Sequence, residues 1–260
     1  MQTTHRIHFK NASRMTPLAD KSVHLVVTSP PYPMIEMWDD SFRSQNKKID
    51  KALSRADAMD AFERMHQLLD PVWQDVYRVL VPGGIACINI GDATRTLKDN
   101  FTLYPNHARI LSKMLEIGFL PLPEILWRKQ TNAPNKFMGS GMMPPGAYVT
   151  LEHEHILILR KGAKREFKTQ AEKQNRRESA FFWEERNVWF SDVWMDLKGT
   201  VQKLAGNQAR LRSAAFPFEL AYRLVNMFSV KDDVVIDPFL GTGTTLAAAM
   251  ATGRSSVGFE

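Results

Sequence analysis

Continuous apolar runs alternate along this chain with stretches whose apolar residues recur every three or four positions. Residues 23–27 (VHLVV), 85–90 (IACINI), 234–238 (VVIDP) and 256–259 are short, largely apolar runs, the pattern of strands covered on both faces. Residues 58–80 carry Phe62, Met65, Leu69, Val72, Val76 and Leu80 on one helical face, with Pro82-Gly83-Gly84 read as the stop. Further helices are predicted at 104–117, ended by Gly118, at 216–228 and at 244–252. Shorter strands are predicted at 6–9, 123–128 and 155–159, the last two joined across 132–148, which is rich in Gly, Pro, Asn and Met. Strands alternating with helices predict an α/β fold, a three-layer sandwich with a mainly parallel sheet.

Two segments break the pattern. Residues 41–56 are polar and basic, with Lys47, Lys48, Lys51 and Arg55, and read as a loop or a solvated helix start. Residues 161–200 open with a basic run containing Lys161, Lys164, Arg165, Lys168, Lys173, Arg176 and Arg177. The aromatics Phe181, Phe182, Trp183, Trp189, Phe190 and Trp194 follow. This segment is read as a small inserted module between two halves, 1–160 and 201–260, of one domain.

Composition narrows the classes. A chain of 260 residues with 44% hydrophobic content can bury one large core. Its net charge of +6 favours a polyanionic partner. The single cysteine, Cys87, lies inside an apolar run, so a buried thiol and a reducing, cytoplasmic setting are expected. The first ten residues lack a signal-peptide core, and no stretch reaches the roughly 18 apolar residues of a membrane span.

Two short motifs carry chemistry. The strand at 23–27 runs into Thr28-Ser29-Pro30-Pro31-Tyr32, where two prolines forbid both helix and sheet interior. A hydroxyl and an aromatic ring are thereby held stiffly at a strand's carboxyl end. Far away, the strand at 234–236 ends in Asp237-Pro238-Phe239, and Gly241-Thr242-Gly243 turns into an alanine-rich helix. Such a turn lets backbone N–H groups approach a ligand closely. About 20 residues on, Glu260 stands where an acid hydrogen-bonds ribose hydroxyls in dinucleotide-binding folds. No Walker lysine follows the turn and the third glycine of the dinucleotide pattern is absent, so the ligand expected is nucleoside-like without a pyrophosphate; S-adenosylmethionine fits.

Together the motifs resemble the amino-methyltransferases of DNA, which methylate an exocyclic base nitrogen. Ser29-Pro30-Pro31-Tyr32 matches that family's catalytic loop, and Asp237-Pro238-Phe239-Leu240-Gly241-Thr242-Gly243-Thr244-Thr245 its cofactor loop. The order, catalytic loop first, looks like the circularly permuted β-type arrangement. The resemblance implies S-adenosylmethionine held by Asp237, Pro238, Phe239, Gly241, Thr242, Gly243, Thr244 and Glu260, with Phe216 and Pro217 beside the methionine part. It also implies Asn11 and Ser13 near the adenine, although Asn11 replaces the family's acid. Ser29 Oγ and the Pro30 carbonyl would accept from the target amino group, Pro31 would aim that carbonyl, and Tyr32 would stack on a base flipped out of double-stranded DNA. The basic residues of 161–177 would meet phosphates. A serine at the first position is commonest among cytosine-N4 enzymes. A cognate restriction endonuclease and a homodimer are the further partners the resemblance brings.

Rival readings remain at this point. Adenine-N6 is the nearest, since the two amino groups are chemically alike. Protein-glutamine methyltransferases share a Pro-Pro-Tyr loop but begin it with Asn and keep the unpermuted order. A DNA-binding protein with a vestigial pocket would not bind the cofactor. His153-Glu154-His155 has no third ligand spaced nearby and is read as strand surface, so no metal is expected. Trp38, Asp39 and Asp40 form either a lid or part of the core.

Overall fold

The computed structural model describes residues 2–129, 143–199 and 216–260. Its strands are β1 (His5–His8), β2 (Val23–Thr28), β3 (Leu80–Ile90), β4 (Ala93–Leu97), β5 (Asn100–Tyr104), β6 (Phe119–Pro121), β7 (Ile125–Arg128), β8 (His153–Lys161), β9 (Val193–Trp194), β10 (Val234–Asp237) and β11 (Ser255–Phe259). Its helices are α1 (Asp39–Gln45), α2 (Lys47–Arg55), α3 (Ala58–Val79), α4 (Asn106–Ile117), α5 (Gln170–Glu178), α6 (Trp183–Trp189), α7 (Phe218–Phe228) and α8 (Thr244–Ala251).

One sheet runs β1-β11-β10-β2-β3-β8-β7-β9, with β6 also on β8, while β4 and β5 form a separate hairpin. From β1 to β3 every pairing is parallel; β8 then pairs antiparallel with β3 and β7. The chain's first strand lies beside its last, and β10 pairs with β2 across some two hundred residues, which is the connectivity a permuted order requires. Successive residues of β2 face opposite layers: Val26 packs with α3, while Leu25 and Val27 pack with α7 and α8. The sheet is therefore buried on both sides, as its unbroken apolar runs demand.

Three segments depart from the sequence expectations. The long helix ends at Val79, where Leu80 turns extended, and Pro82-Gly83-Gly84 lies inside β3. There the β2 register slips from Val23 opposite Leu80 to Leu25 opposite Ile85, and the proline and glycines occupy the irregularity. Residues 41–56 are not a loop but α1 and α2, which bury Phe42, Ile49, Ala52 and Leu53 under a charged outer face. Tyr104 ends β5 rather than opening α4, and the β4–β5 hairpin turns at Lys98, whose φ is 54°.

The segment 161–199 does not stand apart as a module. β9 extends the main sheet beside β7, and Trp194 and Leu197 join the same core as α7. Trp194 Nε1 donates to the Trp189 carbonyl at 3.0 Å and Trp127 Nε1 to the Leu197 carbonyl at 3.0 Å, so these aromatics are structural. Phe182 and Trp183 stay exposed. Most of the predicted 132–148 connection, residue 200 at the end of the predicted module and residues 201–215 of the second half lie outside the described residues. Among the described residues no helix is long and apolar enough to cross a membrane.

Candidate active site

The parallel strands β1, β11, β10 and β2 all end at one edge of the sheet, where open α/β sheets bind ligands. β2 delivers Thr28 and then Ser29; β10 delivers Asp237. Thr28 Oγ1 donates to Asp237 Oδ1 at 2.6 Å, and Thr245 Oγ1, at the start of α8, donates to the Val27 carbonyl at 3.0 Å. The two motifs are thus bonded to one another. Asp237 is 2% exposed and also accepts from the Phe239 N–H at 3.1 Å. Burial, only partly offset by these donors, raises its carboxyl to about pH 6.

The glycine-rich turn follows. Gly241 and Gly243 have φ of 50° and 79°, in the left-handed region that glycine tolerates. Glu260, just past β11, accepts from the Gly241 N–H at 2.7 Å while its own N–H donates to the His8 carbonyl. Phe239 packs its ring edge-on to Trp73 of α3. Thr242 and Thr244 hydroxyls pair at 3.2 Å on the exposed lip. Phe216 is buried and Pro217 caps the start of α7, at this same edge, because α7 runs back toward the amino end of β10. Asn11 follows β1 and accepts from the Ser13 N–H at 2.7 Å. All the residues assigned to a cofactor from sequence therefore gather at the strand ends of β1, β11, β10 and the start of α7.

Beside them stands the proline loop. Ser29 Oγ donates to Tyr32 Oη at 3.0 Å, and Tyr32 Oη donates to Glu154 Oε2 at 2.9 Å. Asn89 Nδ2, from the end of β3, donates to both Tyr32 Oη (2.8 Å) and Glu154 Oε2 (2.7 Å). Lys129 Nζ holds the other carboxylate oxygen at 2.8 Å. Burial, with Glu154 nearby, holds the Tyr32 phenol well above its ordinary range, so it stays protonated. Gly91 backs the ring: a Cβ there would sit 2.9 Å from Tyr32 Cε2. Asn106 Nδ2 donates to the Pro33 and Gly91 carbonyls at 3.1 and 3.0 Å, tying the loop to the end of β3.

Thr28, Asn89, Lys129 and Glu154 escaped the sequence reading. Glu154 had a signal: between His153 and His155 on a strand, it must face the other way. Asn89 had one too, as the polar residue in an otherwise apolar run. Trp38 packs against the core, and Asp39 is buried against Arg95 in a two-bond pair of 2.9 and 2.7 Å, so this stretch is framework. Asp92, His107 and His155 also converge, with ligand-type atoms within 4.8 Å of one another. His155 and Glu154 are buried, at 7% and 9% exposed, which corrects their reading as strand surface, and the His155 ring stacks on that of His107 at 3.8 Å and 9°.

The basic run takes positions that differ from the expectation. β8 is antiparallel, so residues beyond Lys161 emerge at the opposite edge of the sheet from Ser29. Lys161 is 9% exposed, and its ammonium donates to the Tyr77 and Leu80 carbonyls at the end of α3. Arg165 pairs with both oxygens of Asp233 at 2.8 and 2.7 Å. These two cations are committed inside the protein and are not free for phosphate. Lys164, Lys168, Lys173, Arg176 and Arg177 lie on the same far edge, around α5, which is anchored by Asn175 Nδ2 on the Lys231 carbonyl.

An open α/β sheet that brings Ser-Pro-Pro-Tyr against Asp-Pro-Phe-x-Gly-x-Gly defines a methyltransferase of amino groups. The chain belongs to the N6/N4 DNA methylase family, whose model matches residues 23–260. It is 58% identical over 261 residues to the type II methyltransferase M.MthZI of Methanothermobacter thermautotrophicus, a match covering 100% of this chain and 74% of that protein. It is 50% identical over 269 residues to the type II methyltransferase M.MjaI of Methanocaldococcus jannaschii, covering 99% and 87%. Among solved structures, the TTHA0409 protein of Thermus thermophilus, complexed with S-adenosyl-L-methionine, matches with a TM-score of 0.74 at 34% identity over 99% of this chain and 89% of that one.

Proposed function

We propose that this DNA methyltransferase transfers the methyl group of S-adenosylmethionine to the exocyclic N4 of a cytosine flipped out of duplex DNA. The observation that carries the reading is the Thr28–Asp237 hydrogen bond, which joins the catalytic and cofactor loops at one strand edge. The donor groups there suit this cofactor: a buried carboxylate for an amino cation, Glu260 for ribose hydroxyls, and backbone N–H groups of a glycine turn. When bound, the cofactor supplies an electrophilic methyl on sulfonium sulfur.

The chain's own residues supply the rest. An exocyclic amino nitrogen is a poor nucleophile because its lone pair is delocalised into the ring. Ser29 Oγ spends its hydrogen on Tyr32, leaving its lone pairs to accept from the amino group. The Pro30 carbonyl is the second acceptor, held by the stiffness of Pro31. Gly91 lies against the Tyr32 ring, and the ring is the stacking surface for the target base, worth on the order of 1–3 kcal/mol. Cytosine is favoured over adenine by the serine that opens the loop.

The duplex then lies over the carboxyl edge, with phosphates met there by exposed Lys98 and by Arg128, whose surface pair with Glu152 (2.9 Å) a phosphate would replace, rather than by the run around α5. A restriction endonuclease reading the same site accompanies the enzyme, as the type II designation of its relatives suggests, and the exposed Phe182 and Trp183 suit a homodimer. Incubation with duplex DNA and methyl-labelled cofactor, followed by digestion and separation of nucleosides, tests the reading. N4-methylcytosine is expected; N6-methyladenine alone would overturn the choice of base.

A further inference from the structure

We propose that Glu154, acting through Tyr32, is the destination of the proton that the target amino group gives up. The inference rests on the reading of Ser29 as the acceptor at that group. Three oxygens form an unbroken, singly directed chain. Ser29 Oγ donates to Tyr32 Oη at 3.0 Å, and Tyr32 Oη donates to Glu154 Oε2 at 2.9 Å. The direction is fixed by chemistry. A carboxylate can only accept, so the single phenolic hydrogen goes to Glu154, and the Ser29 hydrogen must go to the phenol. Asn89 donates to both Tyr32 Oη and Glu154 Oε2, which holds the phenol–carboxylate pair in register.

Serine alone is an inadequate base for this reaction. Once nitrogen has used its lone pair to form the new bond to carbon, it carries a positive charge and must shed a proton. Ser29 Oγ takes that proton as its own passes to Tyr32 Oη, and the Tyr32 proton passes to Glu154 Oε2. The N–H bonding pair returns to nitrogen as a lone pair. Serine and tyrosine end neutral as they began, and Glu154 ends as the carboxylic acid, which later releases its proton to solvent. Charge moves from the reacting nitrogen to a carboxylate already fixed by Lys129 at 2.8 Å, without a charged serine or tyrosine persisting in the site.

The chain also gives a role to an acid buried beside the proline loop, away from the cofactor-side carboxylates Asp237 and Glu260. Glu154 is 9% exposed, and both of its oxygens are engaged by the loop and its supports. A carboxylate is costly to bury, so a role that needs its basicity accounts for it better than a filler of the same shape.

Three variants test the relay: Glu154→Gln keeps the shape and removes the basicity, Glu154→Asp keeps the carboxylate, and Tyr32→Phe removes one link and keeps the stacking ring. Single-turnover transfer of labelled methyl to duplex DNA is measured alongside cofactor and DNA affinities. The expected result is a loss of about 100-fold in rate for Glu154→Gln and Tyr32→Phe with affinities within about threefold of the wild type. Glu154→Asp is expected to retain at least about tenfold more activity than Glu154→Gln. Equal activity of the Gln and Asp variants, or a Tyr32→Phe rate within about threefold of the wild type, overturns the relay. If Glu154→Gln does not fold, Tyr32→Phe decides, because it deletes a single hydroxyl. The label is counted whichever base receives it, so the relay is judged separately from the assignment of cytosine.

Discussion

Thr28 Oγ1 lies 2.6 Å from Asp237 Oδ1, although 209 residues separate the two along the chain. Adjacent strands β2 and β10 make this possible, with Val26 opposite Ile236 and the next residues of each strand running on to the edge. The bond does two things at once. It offsets part of the cost of burying Asp237, and it sets the distance between the proline loop and the glycine turn.

Replacing Thr28 by Val should therefore destabilise the protein in a pH-dependent way. Asp237 has its carboxyl raised to about pH 6, chiefly by burial. A carboxyl raised in the folded state costs stability progressively as pH climbs from the unfolded value near 3.9 toward 6, and fully above it. Thr28 offsets that cost only where the group is charged. The Thr28→Val penalty is expected to be about 1.5–3 kcal/mol at pH 8, the range for a hydrogen bond to a charged group, and clearly smaller at pH 5. Urea denaturation at the two pH values measures it; an equal penalty at both refutes the argument.

Gly91 is required by proximity rather than by backbone conformation. An added Cβ meets Tyr32 Cε2 at 2.9 Å and Glu154 Cγ at 3.3 Å. Tyr32 cannot swing aside freely, because its hydroxyl is held by Ser29, Asn89 and Glu154. Gly91→Ala should cost about 1–3 kcal/mol as local overpacking and lower the methyl-transfer rate at least about tenfold. Cofactor affinity, set on β10 and β11, should stay within about twofold by calorimetry.

The stacked imidazoles of His107 and His155 divide their protons unequally. His107 is raised by its hydrogen bond to Asp92, whose oxygens both stand 2.8 Å from Nδ1, while His155 is lowered by burial and by the charge on His107. The raised His107 contributes stability below the unfolded value near 6.5 and loses it as pH rises through its folded value. Asp92→Asn should bring the His107 titration, followed by its ring proton resonances, down toward or below 6.5. The stability gap from the wild type should be wider at pH 6 than at pH 8.5. An unmoved His107 titration would show that Asp92 does not hold the proton.

Much of the architecture was legible because it rests on periodicity. β2, the core of β3, α3, α7, β10, α8 and β11 follow directly from apolar runs and helical spacing, and two proline- and glycine-marked loops announced the site. What sequence left hidden depends on tertiary partners. α1 and α2 look polar because only Phe42, Ile49, Ala52 and Leu53 turn inward on short helices. Glu154 acquires its meaning only when antiparallel β8 brings it beside Tyr32. Trp189 and Trp194, next to a basic run, suggested a separate nucleic-acid surface; the structure spends them on the core around α7. Lys161 and Arg165 were counted with the exposed cations because sequence does not show that α3 ends, and Asp233 begins, within their reach.

The basic run makes the sharpest separation between charge and function. Lys161 satisfies carbonyls at the carboxyl end of α3, where a cation also favours the helix dipole. Lys161→Met should then cost about 1–3 kcal/mol in stability, through carbonyls left without a donor, and leave DNA affinity within about twofold. Lys173, Arg176 and Arg177 stand at the sheet edge away from Ser29, a strand length of roughly 17 Å from the catalytic edge. Each phosphate that a protein neutralises adds about 0.9 to the log–log slope of affinity against salt. The combined alanine variant of these three should therefore leave the salt dependence of DNA binding unchanged. Arg128, at the end of β7 on the catalytic edge, should exchange its exposed Glu152 partner for a phosphate and behave oppositely, with Arg128→Ala flattening the slope by about one phosphate's share. Binding isotherms across a range of salt concentrations compare the two. A flatter slope for the triple variant, with none for Arg128→Ala, would mean that DNA crosses the far edge and that the placement of the duplex over the Ser29 cleft is wrong.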